Sequence, residues 1–146
     1  MMEKAKISIK GRQFFEGGDD EVELITDGEF GREGTDYVIS YDETEMTGMQ
    51  GAKTTIRVTK DNTVTLHRSG GAGSAMIFEP GRRSQCHYEV EGGAGLMMTV
   101  GSTRVINRLS KAGGSLFVDY KLEIMGELMS KNNFLIKVEN GGMTNA

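Results

Sequence analysis

In the stretch TVTLHRSG, Thr63 to Gly70, the residues Val64, Leu66 and Arg68 occupy every second position. A strand here turns a guanidinium toward the same side as two aliphatic side chains. A cation on a face meant for burial needs a carboxylate, phenol or carbonyl partner, a bound anion, or an escape to the end of the sheet, because burying it alone is costly. Phenols are at hand. Tyr37 and Tyr41 are in phase with Ile39, Tyr88 alternates with Val90, and Tyr120 is in phase with Leu116, Val118 and Leu122. One arginine and several phenols between apolar walls suit a small amphipathic acid, whose carboxylate matches the guanidinium fork. The candidate ligand-binding residues are therefore Arg68, Tyr41, Tyr88, Tyr120 and Glu43. Glu43 also offers the alternative, an internal ion pair with Arg68, since it shares a face with Tyr41 and Ile39.

Other chemistry finds less support. His67, Cys86 and His87 are the metal-ligand candidates, but Cys86 and His87 are adjacent and a strand points them to opposite faces, so no metal or other cofactor is expected. No nucleophile-elbow signature is present, and an enzymatic reading built on Glu43, His67 and His87 ranks last. The two GGAG tracts, at Gly70 to Gly73 and Gly92 to Gly95, lack the Lys-Ser or Lys-Thr of a phosphate loop. A net charge of −4 and only 10 aromatic residues, none of them Trp, speak against nucleic acid. Met76, Met97, Met98 and Met125 lie in strand-like runs, where thioethers fill an irregular core or line an adaptable cavity.

The elements that must hold these residues are strands. The chain has 21 glycines and one proline, and the glycines fall between short alternating runs. Period-two patterns run near Lys4–Arg12, Glu21–Gly31, Asp36–Glu43, Lys53–Lys60, Thr63–Arg68, Ser74–Phe78, Gln85–Glu91, Gly95–Arg108 with a break at Gly101, Ser115–Met125 and Ser130–Glu139. Short turn-forming links such as REGT, KDNT, EPGRR, SKAGG and SKNN make successive strands antiparallel. A meander this long has two exposed edges unless it closes, so the expected fold is all-β, an up-and-down barrel of eight to ten strands, with a two-sheet sandwich as runner-up. Residues 1–140 form the expected single domain and 141–146 a disordered tail; Glu43 to Gly51 reads as an irregular loop. No apolar run reaches the roughly 20 residues of a membrane span, and no apolar segment follows the basic N-terminus. With a lone Cys86, these features point to a cytoplasmic protein.

The order of several segments resembles a known family. ISYDETEMTGMQGAKTTIRV, LHRSG, MIFEPGRRSQCHYEVEGGAGLMMTV, GGSLFVDYKLEIMG and NNFLIKVE are similar to the YwiB-like family of small bacterial proteins, assigned to the calycin-like barrels. The matches are Tyr41 and Glu43 with Gly48, Arg68 with Gly70, Phe78 with Gly81, Tyr88 with Gly92 and Gly93, and Gly114 with Tyr120. The resemblance implies a lipocalin-like β-barrel in a bacterial cytoplasm and no established activity. The Gly-x-Trp signature and disulfides of secreted lipocalins are missing, so their transport role does not carry over. Two functions follow as expectations: a barrel that binds a small amphipathic or anionic ligand, or a packed barrel that acts as an interaction module, with a second copy of itself among its partners.

Overall fold

The computed structural model describes residues 2–42, 52–69, 74–89 and 95–140, with backbone alone for Ser74, 86–89, Gly95, Leu96, Ser102, Thr103 and Asn140. The described residues form ten strands and no helix: β1 Met2–Phe15, β2 Gly18–Glu33, β3 Asp36–Asp42, β4 Lys53–Val58, β5 Val64–Ser69, β6 Ser74–Phe78, β7 Arg83–Glu89, β8 Gly95–Ser110, β9 Gly113–Ile124 and β10 Glu127–Asn140. Each pairs antiparallel with its sequence neighbours, and β1 pairs with both β2 and β10, so the meander closes into a barrel. Closure, rather than a sandwich, removes the exposed edges. The segments expected to be a loop after Asp42 and a tail after Asn140 lie outside the described residues.

Two differences from the sequence pattern have local causes. Gln13 to Asp20 carries no alternating signal, yet β1 and β2 run through it to a two-residue turn at Glu16 and Gly17, pairing Phe15 with Gly18. Backbone ladders propagate wherever two chains stay in register, whatever the side chains' own preference. The expected break at Gly101 is a register shift between Ser102 and Arg104, inside an unbroken β8. Such a bulge inserts one residue and bends the strand without ending it.

The interior follows from parity. Ile7, Ile39, Ile56, Val58, Val64, Phe78, Val100, Leu116, Val118 and Ile136 are essentially inaccessible and alternate with outward residues along their strands. These side chains fill the lower part of the barrel, the end at which β1 begins. That end is also tied by polar contacts: Arg57 bonds Asp36 at 3.0 Å and also reaches Glu33, which together raise its pKa. Phe30 stacks on Tyr37 at 5.8 Å, with the Arg32 guanidinium over the Tyr37 ring.

One contact decides how closely β2 approaches β3. Gly28 stands opposite both Ala5 and Tyr41, and a Cβ there would collide with the Ser40 carbonyl oxygen and with Ile7 Cδ1. Gly28→Ala is expected to lower the stability read from urea denaturation by ~1–3 kcal/mol, the usual range for overpacking. An unchanged midpoint would show that the two strands separate freely.

Candidate functional site

Above the filled part, the barrel interior holds a cavity of about 420 Å³. Its apolar wall includes Ile9, Leu24, Ile56, Leu66, Met76, Phe78, Phe134 and Ile136, and its polar lining includes Tyr41, Arg68, Tyr120 and Asn132. Three rings form one corner. Phe78 lies 4.7 Å from Tyr120 and 5.7 Å from Phe134 between centroids, and Tyr120 lies 6.2 Å from Phe134, all tilted or edge-to-face.

The register explains why the polar groups are neighbours. Tyr41 is opposite Thr54, Thr54 opposite Arg68, and Arg68 opposite Ser74. Across the lumen Tyr120 is opposite Asn132, Asn132 opposite Gln13, and Gln13 opposite Asp20. All these positions share the inward parity of their strands, so they make two polar rows that face each other. In the ring order β5 and β10 are five strands apart out of ten, which sets Arg68 across the barrel from Asn132 and Phe134. Below each row the inward residues are apolar, Leu66 beneath Arg68 and Phe134 beneath Asn132.

The structure brings Arg68, Tyr41 and Tyr120 to one cavity, with Tyr41 buried and the other two half-buried. Tyr88 belongs to β7 at the level of Ser74, but its side chain lies outside the described residues, as does Glu43 entirely. His67 faces outward and is exposed. The polar residues that sequence reasoning passed over are Thr54, Asn132, Gln13 and Asp20. The signal was present: Asn132 alternates with Phe134, Ile136 and Val138, and Thr54 with Ile56 and Val58, the same misfit that singles out Arg68. Asn132 is buried and donates to Ser130 Oγ at 3.0 Å. Arg12 also borders the cavity, but its guanidinium pairs with Asp19 and Glu21 on the outer surface.

Part of the empty volume traces to one missing side chain. Gly11 occupies an inward position between Ile9 and Gln13 and lines the cavity, and a Cβ there would meet nothing closer than the Asn133 carbonyl oxygen at 3.7 Å. A Cβ at this position has ordinary van der Waals room.

Comparisons with known proteins agree with this architecture. A family model described as "Domain of unknown function (DUF1934)" matches residues 7–136. The crystal structure of the ywiB protein from Bacillus subtilis aligns with a TM-score of 0.84, covering 96% of this chain and 93% of that one at 19% identity. That likeness carries the fold. No curated protein matches the chain.

Gly11→Val tests whether the cavity is kept at a cost. Replacing an interior strand glycine by a β-branched residue whose methyls extend into the cavity is expected to stabilise the fold by ~0.5–1 kcal/mol, measured as a raised thermal midpoint. A lowered midpoint would mean that the site is already filled.

Proposed function

The chain belongs to the family described as Domain of unknown function (DUF1934), and from that premise we propose that its barrel binds a small amphipathic acid in the upper cavity, without catalysis. The supporting observation is the cavity itself: about 420 Å³ between apolar walls, with Arg68 in its polar lining. A packed barrel has no use for such a volume, since unfilled space forfeits dispersion contacts. Arg68 is the anchor for the anion, and Tyr41 and Tyr120 supply hydroxyls on either side of the lumen. Tyr88 and Glu43 are the further ligand-binding candidates on this reading. The setting is a bacterial cytoplasm and the fold a calycin-like one, as the lone cysteine and the family resemblance favour.

A second reading has one observation behind it. At the tips of the β1–β2 and β9–β10 hairpins the exposed Phe14, Phe15, Leu128 and Met129 border one shallow cavity. An apolar cluster of that kind suits contact with a second copy of the chain.

Native mass spectrometry of the protein purified from a bacterial host separates the two. Ligand binding predicts a discrete adduct absent from the denatured spectrum, and self-association predicts a bare dimer. Anilinonaphthalene sulfonate serves as an anionic amphipathic probe in solution. Arg68→Met is expected to weaken its binding roughly 10- to 100-fold, the loss of about 1.5–3 kcal/mol from a charge-assisted hydrogen bond. A folded Arg68→Met protein that binds the probe unchanged would remove Arg68 from the site.

A further inference from the structure

Resting on that reading, we infer that the cavity selects a compact, ring-bearing carboxylate over a long acyl chain. Two observations carry this, the depth of the cavity and the chemistry of its far wall.

The depth follows from the strand rise. Arg68, Leu66 and Val64 face inward in succession along β5, and each step of two residues gains roughly 5 Å of barrel height, from ~3.3 Å per residue and strands tilted about 40°. Leu66 and Ile56 line the cavity, whereas Val64 and Val58 are fully buried and do not. The floor therefore lies within two such steps of Arg68, on the order of 10 Å. An acyl chain that fills one leaflet of a bilayer spans about 15 Å. With its carboxylate on Arg68, a chain of that length must fold back or leave its tail in water, and either loses the apolar contact that would favour it.

The wall opposite Arg68 is aromatic. Phe134 on β10 lies across the lumen from β5 and packs edge-to-face with Tyr120 and with the fully buried Phe78 of β6, so that Phe134 and the half-buried Tyr120 present the aromatic surface to the cavity. A fourth ring joins such a corner in the tilted geometries that aromatic quadrupoles prefer, which a saturated chain cannot exploit. Asn132 and Tyr120 are ladder partners in the polar row, which brings an amide and a phenol to the side of the cavity where a ligand's ring would lie. The arrangement fits a mono- or bicyclic aromatic acid, held at its carboxylate by Arg68 and at its ring by Phe134.

Isothermal calorimetry with naphthoate, decanoate and palmitate on the wild-type protein tests this directly. Naphthoate and decanoate have similar carbon counts, so their comparison isolates the ring, and palmitate tests the depth. The expected result is naphthoate binding at least tenfold tighter than either fatty acid, with Phe134→Leu narrowing the gap to decanoate several-fold while decanoate affinity holds. Should decanoate or palmitate bind as tightly as naphthoate, and lose affinity in Arg68→Met, the ring preference is wrong while the acid-binding barrel stands. Binding of none of the three, together with a bare mass in the native spectrum, overturns both.

Discussion

Ring closure is the constraint on which everything else in this molecule depends. Ten antiparallel strands joined edge to edge leave no strand free to slip, because a shift of one residue in any ladder would send its whole inward set to solvent. β1 is held on one side by β2 and on the other by β10, so the last ladder fixes the first. Each side chain's face is then a matter of counting. Arg68, Thr54, Tyr41, Tyr120 and Asn132 cannot avoid the lumen once Val64, Ile56, Ile39, Val118 and Phe134 occupy it.

Closure alone gives a barrel; the graded filling gives it two unlike ends. The lower half is built from aliphatic side chains with negligible exposure and is braced by Arg57 with Glu33 and Asp36. An exposed ion pair of this sort contributes little, so the aliphatic packing supplies most of the stability there. The upper half trades packing for space and polarity. Gly11 withholds a side chain, and the row above substitutes hydroxyls, amides and a guanidinium for methyl groups. Such substitutions weaken a core, and Tyr41, Arg68, Tyr120 and Asn132 gather them in the lining of one cavity.

Much of this was legible in the sequence, for a physical reason. Period-two alternation survives wherever one face of a strand is buried and the other wet, which is why all ten runs appear as strands and why short turns between them imply antiparallel closure. The misfit at Arg68 was visible because a charge among aliphatics is a loud signal. Thr54 and Asn132 obey the same rule but are uncharged, and a threonine in a strand is too ordinary to stand out. What sequence could not supply was the pairing between strands distant in the ring. That Arg68 on β5 faces Phe134 on β10 depends on the strand count and the order of the ladders, and no local pattern encodes either. The extent of β1 and β2 through Gln13 to Asp20 was hidden likewise, since backbone pairing there proceeds without an alternating pattern.

The same logic bears on why a cation belongs in this barrel. A guanidinium is weakly hydrated for an ion and presents its donors in a plane, so it can occupy a half-buried position where an ammonium would draw water in. Placed on β5, beneath the upper rim and above Leu66, it marks the boundary between the wet mouth and the dry floor. On the proposed reading, a ligand with a charged head and an apolar body would cross that boundary in one orientation only. The polar row would then set a direction as well as an anchor: the head would stay beside Tyr41 and Arg68 while the body descended toward Phe134.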